Sequence, residues 1–523
     1  MINYKIKSAK DMSIDELIGQ VIMVGLPCDY LDNEYKKFIE EYKIGNYILF
    51  ARNYTDSKQM KSFMKDLYNY TESVTGSFPL VSIDQEGGMV VRLFKDVTFP
   101  ASPLTTTFTS VLNAPYITGN IIGKDMLKHG ISINLAPCLE INENLSNPLV
   151  NVRGYGASKE IVVKNAGLFI QGIKESGALS CIKHFPGAGS STKDSHLELP
   201  IIDDSMEQLL NYNMYPSGKL INSDCLMTSH CIYKSFDHIP STLSKVLLTD
   251  VLREKMNFNG LIISDGMEMN AIKDYYGIGD GCVMALNAGC DILLLCHEFD
   301  LQKEAFDKVK QAVISGRLKK ETLIEKVERI NKAKEKVKTK LLEYFNDLPY
   351  EQVLEEHQIM EEIVDKSYTL IKGKAPYITP NTLIISCNAK VGSIVEDEFD
   401  DRNLTNALKH NFPNNRVLKY TPTVPFKNEV LSTFSSYENI IIYSYDAYND
   451  EVQKELINTL LESNKEIFVV SIKGPIDMQY FKNLKNYACL YEYTPNSIKT
   501  INGNEVEELI SFEIPTTVTS LDE

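Results

Sequence analysis

Short apolar runs recur along the first 300 residues or so, and a stretch with helical spacing of apolar residues follows each of them. The runs end in polar or glycine residues, and we place eight strands at Gln20–Gly25, Tyr47–Phe50, Leu80–Asp84, Ser132–Ala136, Leu179–Lys183, Cys225–Thr228, Leu261–Ser264 and Asp291–Leu295. Strands that alternate with helices indicate parallel β-α units. Eight such units over this length predict an α/β fold with an N-terminal (β/α)8 barrel of the TIM type.

A charged helical region follows, and a second alternation of strands and helices begins near residue 373. We predict its strands at Thr382–Ser386, Arg416–Tyr420, Asn439–Tyr443, Ile467–Ile472 and Cys489–Tyr493, with helices such as Glu451–Ser463 between them. The pattern predicts a barrel over residues 1–345, a helical connector over 346–372 and a smaller α/β sandwich domain over 373–523. The chain carries no GxGxxG and no P-loop pattern, which argues against nucleotide binding.

Composition narrows the class of ligand. The chain has 70 acidic and 54 basic side chains and a net charge of -16, so its surface repels nucleic acid and anionic membranes. The ten cysteines form no CxxC pair, and several lie within apolar runs, as expected of reduced, buried thiols. We see no signal peptide and no transmembrane span. These features predict a cytoplasmic protein with a small-molecule partner, and they leave its oligomeric state open.

Ionisable residues follow most of the predicted barrel strands. They are Asp84 and Glu86, Glu140, Lys183 and His184, His230, and Asp265. A single polar residue at a strand end can simply mark where the chain leaves the core. Because the active sites of (β/α)8 barrels lie at the carboxyl ends of the strands, a cluster of such residues favours a catalytic site there.

Two segments carry the most specific chemistry. The first reads KHFPGAG from Lys183 to Gly189 and continues to Asp194-Ser195-His196. Its proline and glycines predict a loop, on which the Asp194 carboxylate can hold one tautomer of His196, raise its pKa and favour proton donation. In the second, Asp265 directly follows an apolar strand, which suits a rigidly held nucleophile that neighbouring cations keep ionised.

These segments resemble glycoside hydrolase family 3, in its β-N-acetylglucosaminidase branch. The family pattern KHFPGHG-x4-DSH matches here with Ala188 in place of histidine, and D-x-E-G-G-R-V-x-R-L matches Asp84 to Leu93 with Met89 in place of the first arginine. The pattern A-P-V-L-D-I appears as APCLEI over residues 136–141, and N-P-V-I-x-x-R-S-F-G appears as NPLVNVRGYG over residues 147–156.

The resemblance implies a retaining exo-β-N-acetylglucosaminidase. It would remove non-reducing terminal β-GlcNAc from soluble glycans such as muropeptides or chitooligosaccharides through a covalent glycosyl-aspartate. By resemblance, Asp265 is the nucleophile, His196 the acid/base and Asp194 its partner. The residues implied to hold the terminal sugar are Asp84, Arg92, Arg153, Lys183 and His184. Neither a metal nor another cofactor is implied, and we expect Met89 and Ala188 to alter affinity rather than abolish activity.

Several alternatives stay open. Phosphorolysis is one, because a histidine acid/base, unlike a glutamate, lets anionic phosphate approach the glycosyl-enzyme. A non-catalytic GlcNAc sensor is another. Glu86 or Glu140 could supply the acid of a two-carboxylate mechanism, and His230 could contact the ligand. A metal set of His184, His196 and Glu198 is disfavoured by the loop composition and the absence of HExxH spacing. We also expect the loop bearing His196 to move into place when substrate binds.

Overall fold

The computed structural model of the chain describes residues 4–142, 147, 150–191, 198–346, 350–389, 404–424 and 428–503. The chain divides into two compact units, the first comprising Met1–Pro100 with Pro115–His357 and the second Ala101–Ala114 with Gln358–Glu523. The boundary after His357 lies within the segment predicted as a connector. The sequence carried no indication that Ala101–Ala114 would belong to the second unit.

Unit 1 is built on eight strands that close into a barrel, and each strand is parallel to its neighbours. In chain order they are β1 (Ile22–Gly25), β2 (Asn46–Leu49), β3 (Leu80–Ile83), β4 (Ile133–Asn134), β5 (Leu179–Phe185), β6 (Cys225–Thr228), β7 (Leu261–Gly266) and β8 (Ile292–Leu295). Each overlaps a strand predicted from the sequence, so the predicted (β/α)8 barrel is confirmed. A separate pair of two-residue strands joins Ile201–Ile202 to Ile232–Tyr233.

Near-continuous apolar runs form these strands because both faces of a parallel barrel strand are covered, by the filled interior on one side and by helices on the other. Every residue of β1, β2, β3 and β8 is buried. The lysine, histidine and aspartate that interrupt this pattern, Lys183, His184 and Asp265, lie near the carboxyl ends of β5 and β7.

Helices surround the barrel, and local signals fix their ends. Ser13 and Glu16 form a capping box at the first of them, and Asp56 accepts from the Gln59 backbone N–H at the start of Ser57–Thr75, which ends at Gly76 in the left-handed conformation. The longer helices are Ile14–Val21, Asn33–Tyr42, Ser57–Thr75, Ala114–Lys128, Lys159–Ser176, Asn270–Tyr276, Ile278–Ala288, Phe299–Ile314 and Lys320–Asn346. The next helix, Tyr350–Asp365, crosses the boundary between the two units after His357. Shorter or wider helical turns are Met206–Gln208, Leu209–Asn213, Tyr215–Lys219 and Val246–Lys255.

Unit 2 contains a six-stranded sheet. Its strands are β9 (Thr369–Lys372), β10 (Thr382–Cys387), β11 (Val417–Tyr420), β12 (Asn439–Ser444), β13 (Glu466–Ser471) and β14 (Asn486–Cys489). They lie in the order β9-β14-β13-β12-β10-β11, and β9 runs antiparallel to β14 while the other pairs are parallel. Its helices are Pro103–Phe108, Leu404–Asn411, Asn428–Phe434, Glu451–Leu461, Asp477–Tyr480 and Pro495–Gly503. The predicted α/β fold of this region is confirmed.

One predicted strand is displaced. The strand predicted to begin at Cys489 and end at Tyr493 instead ends at Cys489. The apolar residues that follow are buried, but Tyr491 has φ 60°, which interrupts an extended backbone. Buried apolar residues beyond the end of the strand therefore gave a strand-like sequence pattern.

The cysteines match their prediction as thiols. All ten are free, and nine are buried. Within the described residues, no helix combines the length and the hydropathy needed to cross a membrane.

Candidate active site at the mouth of the barrel

A charged network joins the carboxyl ends of β3 and β5. Asp84 directly follows β3, and the ammonium of Lys183 on β5 lies 2.7 Å from its Oδ1. The same ammonium lies 2.6 Å from Oε1 of Glu86. Burial opposes the charge of Lys183, but Asp84 and Glu86 outweigh it and hold the pKa of Lys183 above its usual value. Lys183 is therefore a buried cation shared by two carboxylates.

Glu86 is the centre of this network. Its carboxylate accepts two hydrogen bonds of 2.8 Å from Arg153, one from Nε and one from Nη2, in a bidentate pair. Burial would raise the pKa of Glu86, but the charges of Arg153 and Lys183 outweigh it and hold that pKa well below its usual range. Glu86 thus remains ionised, and it fixes two cations that were both predicted to hold the sugar.

A second cluster joins the ends of β4 and β5. The chain after β4 continues beside β5, where Leu139 N–H donates to the Lys183 carbonyl over 2.6 Å. This pairing brings Glu140 against His184, and Oε1 of Glu140 lies 2.8 Å from the backbone N and 3.0 Å from Nδ1 of His184. The Cys138 thiol donates to Oε2 of Glu140 over 2.6 Å. Burial raises the pKa of Glu140, but His184 and the Cys138 hydrogen bond outweigh it and lower the pKa to about 2.

The ionised state of both glutamates bears on the two-carboxylate alternative. A general acid must carry a proton near the working pH, and neither Glu86 nor Glu140 does so with a lowered pKa. Each is instead committed to holding cationic or donor groups in place. The geometry therefore disfavours that alternative.

Asp265 lies near the carboxyl end of β7 and is half-buried. Its Oδ1 accepts a 2.8 Å hydrogen bond from the backbone N–H of Gly266. Burial raises the pKa of the Cys181 and Cys296 thiols, and the charges of Asp84 and Asp265 raise both further. Because β3 and β7 belong to one parallel barrel, Asp84 and Asp265 at their carboxyl ends lie at the same end of the barrel.

His230, whose role the sequence left open, supports the strand end that bears Asp265. It is buried, and its Nε2 lies 2.9 Å from the carbonyl oxygen of Gly266, to which only a ring N–H can donate. Its Nδ1 lies 2.8 Å from the Thr242 hydroxyl. Both ring nitrogens are thus engaged by protein groups, which indicates a positioning role and argues against the ligand contact considered for this residue.

The loop after β5 is described as far as Ser191. A Cβ at Gly187 would lie 2.6 Å from the Asn213 carbonyl oxygen, and the residue has φ +121°, so both space and backbone favour glycine there. Tyr233 donates to the Gly187 carbonyl over 3.0 Å. Ala188 packs against a small apolar cluster that includes Tyr233. The beginning of the loop is therefore held in place.

Asp194 and His196 lie outside the described residues, and the movement predicted for this loop stays a prediction. The disfavoured metal set of His184, His196 and Glu198 also includes an undescribed residue, and Glu198 is exposed.

Arg92 belongs to the loop after β3. The Gln85 side chain braces that loop, because its Oε1 accepts from the backbone N–H groups of Arg92 and Leu93 at 2.8 and 3.1 Å. Arg92 and Met89 are both buried. The predicted contact of Arg92 with a sugar stays a prediction.

The structure thus assembles Asp84, Lys183 and Arg153 through Glu86, and it places His184 on an adjacent cluster through Glu140. From the sequence, Glu86 and Glu140 were considered as possible acids, and their role in holding neighbouring side chains was not predicted. For Glu86 an available signal was its position two residues beyond Asp84, where alternate side chains of an extended segment share a face.

Comparisons with known proteins agree with this architecture. The pattern of the glycosyl hydrolase family 3 N terminal domain matches residues 13–333, which is more than half of the chain. The protein therefore belongs to glycosyl hydrolase family 3.

The relatives include beta-hexosaminidase A of Pseudoalteromonas piscicida, 29% identical over 59% of this chain and 56% of that protein. The chain thus spans about half the length of this relative. A beta-hexosaminidase of Tolumonas auensis is 33% identical over 51% of this chain and 80% of that one. Among solved structures, a glycoside hydrolase family 3 beta-N-acetylglucosaminidase from Paenibacillus sp. is 28% identical, with a TM-score of 0.86 over 94% of this chain and 96% of that chain.

Proposed function

We propose that the protein is a retaining exo-β-N-acetylglucosaminidase that acts on small soluble glycans. The observation that carries the proposal is the buried network of Asp84, Lys183, Glu86 and Arg153 at the same end of the barrel as Asp265. Such a network offers ionised donors and acceptors in fixed positions, which suits recognition of the hydroxyl and amide groups of one terminal sugar. The resemblance of the chain to β-N-acetylglucosaminidases supports the choice of sugar.

In this proposal Asp265 attacks the anomeric carbon and forms a glycosyl-enzyme ester. His196, oriented by Asp194, gives a proton to the departing glycosidic oxygen, so that the aglycone leaves as a neutral alcohol. The same imidazole then takes a proton from water as the water attacks the ester, which releases β-GlcNAc and restores the Asp265 carboxylate. Two inversions at the anomeric carbon give net retention.

In this proposal the charged network at the barrel mouth also binds the terminal sugar before the reaction. The Asp84 carboxylate accepts from sugar hydroxyls, while Lys183, Arg153 and His184 present donors. Because Glu86 and Glu140 hold these donors before substrate arrives, little side-chain ordering remains to be done on binding. As natural substrates we propose muropeptide fragments or chitooligosaccharides with a free non-reducing β-GlcNAc.

The decisive experiment labels the nucleophile. A 5-fluoro-β-GlcNAc fluoride slows hydrolysis of the glycosyl-enzyme, so mass spectrometry of the digested protein should find the sugar on the peptide containing Asp265. Asp265→Asn should lose hydrolysis of p-nitrophenyl β-GlcNAc by at least about 1,000-fold, that is, about 4 kcal/mol of transition-state stabilisation. Asp274→Asn, which alters an exposed aspartate on the following helix, is the matched control. Equal activity of the two variants would contradict the assignment.

The same assay distinguishes the remaining alternatives. Release of GlcNAc-1-phosphate on addition of inorganic phosphate would indicate phosphorolysis of the glycosyl-enzyme. Tight GlcNAc binding without any turnover would indicate a sensor.

A further inference from the structure

Cys138, Glu140 and His184 bring together a thiol, a carboxylate and an imidazole at the ends of β4 and β5. We propose that these three side chains form a binding site for a thiophilic divalent cation such as Zn²⁺, and that the bound cation inhibits the enzyme by engaging His184, which the proposed substrate complex also uses. The inhibition rests on the proposed function, whereas the binding does not.

The ligand atoms already lie close together. Sγ of Cys138 is 2.6 Å from one carboxylate oxygen of Glu140, Nδ1 of His184 is 3.0 Å from the other, and one atom from each residue falls within a group spanning at most 4.8 Å. Tetrahedral zinc with ordinary bond lengths places its ligand atoms about 3.3 to 3.6 Å apart. An ion thus needs the thiol and carboxylate to separate by about 1 Å, which side-chain rotations can supply.

The donor set suits zinc rather than magnesium or calcium. Thiolate and imidazole ligands select softer transition metals, whereas Mg²⁺ and Ca²⁺ prefer oxygen ligands. The thiol must lose its proton to solvent when the metal–sulfur bond forms, and the neutral imidazole must carry its single N–H proton on Nε2 so that the Nδ1 lone pair can bind the metal. Two negative ligands and one neutral imidazole then balance the two positive charges of the ion, which makes a neutral site tolerable at this depth.

The three residues differ in burial, and the more exposed His184 gives an ion access to the site. Cys138 and Glu140 are 1% and 3% exposed, while the His184 side chain is 18% exposed. The open side of the site therefore lies at His184, where a water molecule can complete four ligands. Since a lone pair of Nδ1 is needed, metal binding fixes the ring of a residue that the proposed substrate complex also uses.

The family pattern has valine where this chain has Cys138. Cys138→Val therefore removes the thiol with a side chain that the barrel of this family accommodates. Cys138→Ser, which keeps a polar group of similar size, is a second variant in case valine disturbs the fold. Cys28→Ser is the matched control, because Cys28 is a half-buried thiol whose Sγ contacts only the Tyr30 carbonyl oxygen among the described hydrogen bonds.

The binding test replaces zinc by Co²⁺, whose bond to a thiolate gives intense near-ultraviolet absorption. We expect titration of the reduced protein to saturate at one equivalent with this absorption, and Zn²⁺ to displace it. The band should disappear in Cys138→Val and Cys138→Ser and persist in Cys28→Ser. Absence of the band in the wild-type protein, or its survival in both Cys138 variants, would overturn the site.

The inhibition test measures p-nitrophenyl β-GlcNAc hydrolysis against Zn²⁺ concentration, with each variant compared with its own metal-free rate. We expect Zn²⁺ to compete with substrate, and the half-inhibitory concentration to rise at least 10-fold in Cys138→Val. Equal sensitivity of wild type and variant would overturn the proposed inhibition. If the wild type shows no hydrolysis at all, the proposed function fails, and the cobalt titration still decides whether the metal site exists.

Discussion

Two lysines buried at opposite ends of the barrel show how differently the protein treats the same side chain. Lys183 lies near the carboxyl end of β5 between two carboxylates, which hold its pKa above the usual value against the effect of burial. Lys334 lies on the helix Lys320–Asn346, and its Nζ donates over 2.6 Å to Gln20, just before β1. Burial lowers the pKa of Lys334 to about 7.

The difference in partners distinguishes a lysine of the candidate active site from a lysine buried among structural residues. At the carboxyl end the chain brings carboxylates to a buried cation and keeps it charged, as recognition of a polar ligand requires. At the amino end an uncharged amide is the partner, and within the described residues no carboxylate forms an ion pair with Lys334. A buried ammonium without a counter-ion lowers stability, so the two lysines should respond in opposite directions to the same replacement.

The largest effect is expected from Lys183→Met. Loss of the cation removes a proposed sugar donor and leaves Asp84 and Glu86 with uncompensated charge, so kcat/KM for p-nitrophenyl β-GlcNAc should fall at least about 100-fold, or about 3 kcal/mol. Lys334→Met is the matched control and should keep kcat/KM within about 3-fold. Comparable losses of activity in both variants would remove the distinction between the two ends.

Glu86→Gln should have the next largest effect on activity. The neutral amide cannot compensate Arg153 and Lys183, and breaking a buried ion pair typically costs about 3–5 kcal/mol. We expect urea unfolding to show a loss of this size together with weaker substrate binding. Glu268→Gln tests whether the buried ion pairs of Glu86 account for the loss. The Glu268 carboxylate accepts the backbone N–H groups of Cys296, His297 and Glu298, and in the described hydrogen bonds it pairs with no buried cation. A smaller effect at Glu86 than at Glu268 would contradict the proposed role.

Lys334→Met should change stability in the opposite direction, raising the free energy of unfolding by about 1–3 kcal/mol at pH 6.5. The pKa of Lys334 is about 7 in the folded protein and 10.5 as the reference value, so the unfolded chain binds more protons between these values. The destabilisation by Lys334 is therefore full below pH 7 and fades as the pH rises towards 10.5. Denaturant titrations should show the advantage of the variant shrinking over this range, and an advantage that grew would show the sign to be wrong.

The smallest effect is expected from His230→Asn, which shortens the side chain that braces the Gly266 carbonyl. Loss of one neutral hydrogen bond is worth about 1 kcal/mol, so kcat should fall less than about 10-fold with little change in KM. The exposed His238 provides the control variant His238→Asn. A loss of several orders of magnitude would instead indicate that His230 touches the reacting groups.

Much of the fold was predictable because apolar runs of strand length, broken by polar strand ends, are a local signal. All eight barrel strands and most of the second sheet followed from it. The antiparallel strand β9 was missed, because only one residue of Thr369–Lys372 is buried and the run is short. The assignment of Ala101–Ala114 to unit 2 could not be seen either, since it depends on contacts made by residues far along the chain.

The residues of the candidate site could be predicted from the sequence better than the contacts between them. Asp84, Lys183 and Asp265 were found as strand-end residues. Glu86 holds Arg153 and Lys183 together because side chains from three strand ends point towards one another. The spacing of these residues along the sequence does not reveal such directions. The same limit applies to Cys138, whose hydrogen bond to Glu140 and proximity to His184 depend on the pairing of the segment after β4 with β5.

The membership of Ala101–Ala114 in unit 2 has a consequence for the order of synthesis. Ser102 N–H and the Thr105 hydroxyl, at the start of the helix Pro103–Phe108, both donate to the buried carboxylate of Glu492 at 2.7 Å. Ser102 and its acceptor Glu492 are separated by 390 residues. At ordinary rates of translation the ribosome needs about 20 to 80 s to make that length of chain. The barrel sequence is thus complete well before Glu492 becomes available to these two donors in the third β-α connection, and a C-terminal fragment beginning at Gln358 would bury Glu492 without them.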